Sequence, residues 1–336
     1  MVRRSVRGVA STLNGKIIVT GGAGFIGRNL VAGLNERGID NILVVDELGT
    51  SEKWQNLVGL RYEDYLDKAA FRERILANQI DGVRAIIHMG ACSATTERDA
   101  SYLADNNYRV TRELCEWCLT HGARFVYASS AATYGDGSLG YSDDDAVTPT
   151  LRPLNMYGYS KHMFDLWALR AGLFRMIAGL KYFNVYGPYE DHKEDMRSVV
   201  HKAYEQVLDS GRVRLFKSYK PDYADGEQVR DFVYVKDAVD LTLHLVEHPE
   251  VSGLFNCGTG QARSWRALAE AVFKAMNREP NIEFIEMPES LRDKYQYFTQ
   301  AEMNKIRAAG YDHGFTSLED GVKDYVQNYL ALRREK

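Results

Sequence analysis

Near its start the chain reads Thr20-Gly21-Gly22-Ala23-Gly24-Phe25-Ile26-Gly27, placed between an apolar run, Lys16–Thr20, and an amphipathic stretch over 25–37 that Gly38 stops. Few folds accommodate three glycines spaced in this way between a strand and a helix. Gly21 lets the chain turn tightly off the strand. Gly24 lets the backbone approach a pyrophosphate, and Gly27 lets helix and sheet pack closely. Phosphates then face the helix N-terminus, where N–H groups and the helix dipole favour anions. A second apolar run, 41–46, ends in Asp46, about twenty residues on, where an acid binds an adenosine ribose hydroxyl. These features together predict a dinucleotide site built from Gly21, Gly24, Phe25, Ile26, Gly27, Asp46 and Glu47. The acidic pair suits the free ribose of NAD. Lys53 and Lys68 downstream suit the 2′-phosphate of NADP, so the residues alone leave that choice open.

The rest of the first half keeps the same rhythm. Strands are expected over 84–89, 124–129 and 176–183, with helices over 107–121 and 157–173. Strands alternating with helices predict right-handed parallel crossovers, hence an α/β protein with a Rossmann-type doubly wound parallel sheet. Beyond Pro188 the rhythm changes. Helices are expected over 196–210, 265–277 and up to His248, with strands over 214–216, 231–235 and 253–260. The reading is a dinucleotide-binding domain of 16–188 plus roughly 231–258. A smaller mixed α/β substrate domain takes roughly 189–230 plus 259–336. Residues 1–15, with Arg3, Arg4 and Arg7, read as a flexible extension, with a targeting segment as the alternative.

Composition excludes several classes. The 336 residues are 45% hydrophobic, ample for a large core. Lys plus Arg number 42 against 46 acids, so there is no basic surplus for a nucleic-acid partner. No apolar run approaches ~18 residues, so no membrane span is expected. Four cysteines make no disulfide framework; Cys115 and Cys118 fall inside the 107–121 helix and read as ordinary thiols. Eight scattered histidines show no metal-ligand spacing, and no metal is expected.

Two further segments carry chemistry. Met89-Gly90-Ala91-Cys92-Ser93 follows a buried strand, and its small residues suit the path towards a nicotinamide. Asn106 opens the next expected helix as a polar cap or a cofactor contact. Ser130 ends a strand. Tyr157 and Lys161 are one turn apart at the start of a long helix, so both point to one side. A free phenol, with a pKa near ~10, is a poor base at neutral pH. A nearby ammonium and a positive nicotinamide would both draw it down. Ser130 would hydrogen-bond a substrate hydroxyl while Tyr157 takes its proton and hydride passes to the cofactor. A non-catalytic dinucleotide sensor on the same fold has no need of this tyrosine and lysine.

From Lys16 to about residue 330 the chain resembles the extended short-chain dehydrogenase/reductase family. Within it, His88-Met89-Gly90-Ala91-Cys92-Ser93, Tyr182-Phe183-Asn184-Val185-Tyr186-Gly187-Pro188, His192-Lys193 and Tyr295-Gln296 with Phe298-Thr299-Gln300 resemble the ADP-heptose 6-epimerases. The resemblance implies epimerisation of a sugar nucleotide that feeds lipopolysaccharide synthesis, with hydride held by NADP between two half-reactions. It also implies a cytoplasmic homo-oligomer, a pentamer in that family. It makes Lys193 the second base opposite Tyr157 and adds Val185 to the cofactor contacts. Substrate contacts map onto Asn184, Asp195, Lys202, Phe216, Lys217, Ser218, Tyr219, Arg230 and Tyr295. The bare residues say less: Lys193 lies in the charged run Glu190–Asp195, which reads as a solvated loop, and Arg230 reads equally as a structural partner of Asp231. Asp195 stands where the family has a small residue, and Lys202 where it has a histidine. A UDP-hexose 4-epimerase, which needs only one base, is the runner-up.

Overall fold

The computed structural model describes residues 15–292 and 295–332. The expected flexible extension lies outside these, apart from Gly15. The chain divides into two compact units. One holds the residues up to Ser130 with Asn155–Leu180 and Val239–Phe255; the other holds Ala131–Leu154, Lys181–Ala238 and the chain from Asn256 on.

In chain order the elements begin β1 (Lys16–Thr20), α1 (Phe25–Glu36), β2 (Ile42–Asp46), β3 (Asp64–Asp67), α2 (Lys68–Leu76) and β4 (Val83–His88). Then come α3 (Ala100–Leu103), α4 (Val110–His121), β5 (Arg124–Ser130), α5 (Met156–Arg170) and β6 (Ala178–Tyr182). Next are β7 (Asn184–Tyr186), α6 (Val199–Ser210), β8 (Val213–Phe216), β9 (Val229–Tyr234), α7 (Val235–Glu247) and β10 (Gly253–Cys257). The last are β11 (Ala262–Ser264), α8 (Trp265–Ala275), β12 (Ile282–Ile285), α9 (Glu289–Arg292), α10 (Asn304–Ala308) and α11 (Leu318–Tyr325).

Seven strands form one sheet in the order β10-β6-β5-β4-β1-β2-β3. The pairs β1–β2, β2–β3, β1–β4 and β4–β5 are parallel. The chain runs outward from β1 through β2 and β3, then returns to β4 on the other side. That reversal is the topological switch point of a Rossmann-type sheet, and the glycine turn leaves β1 there. The central strands are apolar on both faces because helices cover both: Ile17, Ile18, Val19, Val44, Ile86 and Phe125 are all buried. Cys115 and Cys118 pack in the same core. Burial pushes the Cys115 thiol up to about 12, which keeps it protonated and inert.

The second unit is mixed α/β. It has a three-stranded sheet, β11-β9-β7, and a two-stranded one, β12-β8. It takes in Ala131–Leu154 and resumes at Lys181, where the expected boundary follows Pro188. The reason lies in hydrogen bonds that tie this segment to later ones. Tyr134 donates to Asn256 at 2.7 Å, the Asn256 N–H donates to Asp143 at 2.7 Å, and Lys305 reaches Asp145 at 2.7 Å.

Two expected helix starts move. The helix expected from 107 begins earlier, at α3, where the Asp99 carboxylate caps the Tyr102 N–H, and passes through a wider π-helical turn at Ala104–Arg109. Asn106 is therefore inside a helix and is not a cap. The helix expected from 196 begins at Val199, because Glu194 takes a left-handed φ of 47° and Ser198 caps α6. Among the described residues no helix is long and apolar enough to cross a membrane.

Arg124 shows how the first unit is closed. Its buried guanidinium donates to the carbonyls of Leu245, Val251 and Met176 and to the Ser252 hydroxyl, at 2.6–3.1 Å. Burial pulls its pKa down to about 10, so it stays charged at neutral pH. Arg124→Met would orphan these acceptors, each costing about 1–3 kcal/mol when buried. Urea denaturation should show a loss of about 3 kcal/mol or more, with the dinucleotide cradle otherwise unchanged.

Candidate active site

The cradle at the end of β1 is defined by contacts that leave no room for side chains. Gly21 has φ +66°, and a Cβ there would lie 2.8 Å from the Gly90 nitrogen. A Cβ on Gly27 would lie 2.0 Å from the Gly21 carbonyl oxygen. Gly24 is the N-cap of α1 and has no side chain to occupy the helix end. A pyrophosphate therefore has both the space and the donors it needs, and the cradle fits a dinucleotide.

Asp46 ends β2 and is almost fully buried. Its carboxylate accepts the Ala23 and Glu47 N–H groups at 2.8 and 2.7 Å and the Lys53 ammonium at 2.5 Å. Glu47 pairs with Lys68. Both lysines that suit a 2′-phosphate are thus already matched to the two acids that suit a free ribose. Asn56, which the sequence did not single out, donates to the Ala23 carbonyl at 2.9 Å and braces the turn.

The Met89–Ser93 segment hangs from two anchors. The Met89 and Gly90 N–H groups donate to the Thr20 carbonyl and hydroxyl. Asn107, fully buried, accepts the Cys92 N–H and donates to the Cys92 carbonyl, both at 2.9 Å, and donates to Ser160 Oγ at 3.0 Å. Asn106, the residue expected to matter, donates to the Asn107 side chain. Asn107 lies within the π-turn, a feature that often occurs at functional sites.

Ser130, Tyr157 and Lys161 come together in the first unit. Ser130 ends β5. Asn155 caps α5 by accepting the Gly158 N–H at 2.8 Å, which sets Tyr157 in the first turn. Tyr157 and Ser130 are hydrogen-bonded, and this draws the phenol down, but burial is the larger effect and leaves it raised above the ordinary tyrosine range. The Lys161 ammonium donates to the Ala128 carbonyl at 2.8 Å. Burial pulls Lys161 itself down to about 8, against the opposing charge of Asp165. Asp165 is also buried, and it accepts from Tyr127 and Ser129 at 2.7 Å each, tying α5 to the strand that carries Ser130.

The second unit gathers the residues that the resemblance maps to the substrate in two groups. Arg230 is buried between the Trp265 and Tyr295 rings, with centroids 5.5 and 5.2 Å away, and donates to the Val229 carbonyl at 2.8 Å. The alternative of a pair with Asp231 falls. That carboxylate is filled by the N–H groups of Thr259, Gly260 and Ala301 and by the Thr259 hydroxyl. Among the described residues no carboxylate pairs with Arg230, which leaves a stacked cation suited to phosphate. Phe216 meets Tyr295 edge-on at 6.4 Å. Lys217 and Tyr219 both bind Glu286, and the Ser218 N–H donates to Asp225 at 2.7 Å. The other group is Lys193, Asp195 and Lys202. Lys193 is half-buried, and its pKa is lowered first by burial. Lys202 donates to the Asp195 carbonyl at 2.6 Å. Asn184 is exposed on β7, beside Val185, where β7 pairs with β9.

Turn, sheet and tyrosine–lysine helix define an NAD(P)-dependent enzyme of the sugar-nucleotide type. The chain belongs to the NAD dependent epimerase/dehydratase family, whose model matches residues 17–258. It is 61% identical over 315 residues to the ADP-L-glycero-D-manno-heptose-6-epimerase of Nitratidesulfovibrio vulgaris strain DP4, covering 94% of this chain and 98% of that one. The enzyme of the same name from Fusobacterium nucleatum is 50% identical over 327 residues, with the same coverage. Among solved structures, the Helicobacter pylori ADP-L-glycero-D-manno-heptose-6-epimerase matches with TM-score 0.79 and 28% identity, over 94% of this chain and 96% of that one. Thermotoga maritima UDP-glucose 4-epimerase matches with TM-score 0.74 and 26% identity, over 95% and 99%.

Because the Ser130 hydrogen bond lowers the Tyr157 pKa, its removal must raise it. Ser130→Ala should move the Tyr157 ionisation to higher pH, seen as tyrosinate difference absorbance against Tyr157→Phe. An unmoved titration would separate Ser130 from Tyr157.

Proposed function

We propose that this protein epimerises ADP-D-glycero-D-manno-heptose at carbon 6 to the L-glycero form, by two half-reactions with two proton carriers. The observation that carries the reading is Lys193, a half-buried lysine with a depressed pKa outside the tyrosine–lysine helix. A one-base epimerase has no use for it. The near-full-length relatives bearing the heptose epimerase name support the same substrate.

The bound nicotinamide supplies a reversible hydride acceptor. The residues do the rest. One carrier removes the hydroxyl proton at carbon 6 as hydride departs, leaving a ketone. Hydride returns to the other face, and the second carrier delivers a proton to the oxygen. Tyr157, aided by Ser130 and Lys161, serves one face; Lys193 serves the other. Arg230, stacked on Trp265 and Tyr295, takes the diphosphate. Asn184, Asp195, Lys202 and the Phe216–Tyr219 stretch complete the substrate contacts. A cytoplasmic homo-oligomer belongs to the same reading.

For the cofactor we take NADP, with Lys53 and Lys68 turning to its 2′-phosphate. NAD is the second reading, favoured by the pairing of those lysines with Asp46 and Glu47. Equilibrium binding decides. With NADP native, Lys53→Met with Lys68→Met should weaken NADP by about tenfold or more, as expected for lost charge-assisted hydrogen bonds, and leave NAD unchanged.

The activity test is NMR of the purified protein with ADP-D-glycero-D-manno-heptose. Conversion is expected, and Tyr157→Phe and Lys193→Met should each cut kcat by about 10²-fold or more, the usual worth of a general acid or base. Turnover of UDP-galactose without conversion of the heptose would replace this reading with the hexose one.

A further inference from the structure

Lys193 sits on a short 3-10 segment that is interrupted by a kink at Glu194. It lies in the turn Asp191–Met196, and the residues around it are held in uncommon backbone conformations: Tyr189 has φ 75° and Glu194 has φ 47° with ψ −120°. Left-handed φ on bulky non-glycine residues costs energy and persists only where the surroundings over-determine it. Here the surroundings centre on one side chain. Glu190 is fully buried, although it opens a run of charged residues. Its carboxylate accepts the Ser198 N–H at 2.6 Å, the Ser198 hydroxyl at 2.5 Å and the Tyr325 hydroxyl at 3.1 Å. Its own carbonyl accepts the Lys193 N–H at 3.0 Å, which closes the turn.

We propose that Glu190 is a positioning residue for Lys193: anchored on Ser198 and Tyr325, it holds the strained turn that presents the lysine. The proposal rests on the reading of Lys193 as the second proton carrier. A buried carboxylate is a costly way to fix a turn that a serine cap alone would end. Its further contribution is a negative charge near the lysine. That charge favours the ammonium, whereas burial and the Lys202 ammonium oppose it. The other charged and titratable groups around the turn are Asp191, His192, Glu194 and Asp195 on the turn itself, and Arg197, His201, Lys202 and Glu205 on or leading into α6. Tyr325 and Tyr329 come from the C-terminal helical segment. His201 and Tyr325 are in hydrogen-bond contact at 3.0 Å, and Arg197 donates to Glu205 at 2.7 Å. Of the acids in this group, Glu190 is the buried one.

The test uses the full chain with lysines reductively methylated with carbon-13, Lys193 being assigned by its loss in Lys193→Arg. Glu190→Gln keeps the side chain's size and one acceptor oxygen and removes the charge. It should shift the Lys193 titration down by about one pH unit, and the acid limb of the kcat profile, where a base is lost to protonation, should follow it. Glu190→Ala should lower kcat by about tenfold or more with KM within about twofold, as for loss of an interaction that serves the chemical step. A Lys193 titration and a kcat profile both unmoved in Glu190→Gln would overturn the proposal and leave Glu190 a structural anchor. Wild-type turnover in Lys193→Met would overturn the second-carrier reading, and with it any catalytic use of Glu190. The titration needs no substrate, so the two failures are told apart.

Discussion

The Gly21 carbonyl oxygen occupies the place where any side chain on residue 27 would have to start. Helix α1 can approach β1 only because residue 27 carries a hydrogen there. That approach puts the N-terminus of α1 at the switch point, and it brings Ala23 within reach of the Asp46 carboxylate. The turn, the end of β2 and the Lys53 pair then form one connected piece. The Met89–Gly90 segment is drawn in from the other side, since it hangs on Thr20 at the end of the same strand. A methyl group at position 27 would therefore disturb a site, whereas one at Gly38 or Gly122, where a Cβ meets nothing within 4 Å, would meet only the backbone conformation.

Buried carboxylates recur behind the candidate site residues. Asp165 ties α5 to the strand of Ser130, Asp231 gathers three backbone N–H groups beside Arg230, and Glu190 closes the turn of Lys193. Each is supplied with donors, which is the condition under which such a group can be buried at all. The arrangement has a clear physical advantage over apolar packing. A carboxylate with several directional partners fixes distance and angle at once, and catalysis is sensitive to shifts of about an ångström. At Asp231 burial outweighs even those donors and raises the pKa. Its ionised form is therefore held at a net cost, carried where the group is charged and relieved as pH falls through the raised pKa. The geometry beside Arg230 is kept in spite of that cost.

How far each feature was legible in the sequence depends on the range over which its constraint acts. The glycines, Asp46, Ser130, Tyr157 and Lys161 stand at recognisable spacings from a strand end or along one helix turn, so the sequence singles them out as candidates. Asn107, Asp165, Glu190 and Trp265 were missed because their partners lie far along the chain: Cys92, Ser129, Tyr325 and Arg230. A buried polar residue in a helix reads like a surface one until its partner is known. Asn106 and Asn107 make the point, since they are neighbours of one type and Asn107 is the fully buried one, bound to Cys92 and Ser160. Lys193 became visible through family resemblance, because a run of five charged residues around one histidine reads as solvated. The helix start moved from 196 to Val199 for the same reason: the strain at Glu194 is a tertiary effect with no local signature.

The two proposed proton carriers are pushed in opposite directions. Burial raises Tyr157, which favours its neutral, proton-bearing form. Burial lowers Lys193, which also favours its neutral form, but there the neutral form is the one without the proton. The same physical effect therefore pushes the phenol towards keeping its proton and the amine towards releasing one. An epimerisation that begins by taking a proton on one face and ends by giving one on the other needs that pair at the outset. It ends with the roles exchanged, and the reverse reaction can start from there. Ser130 and Glu190 work against burial at their respective groups, Ser130 lowering the phenol and Glu190 raising the amine. Each keeps its partner from being locked in one state, as a residue that must both take and return a proton requires.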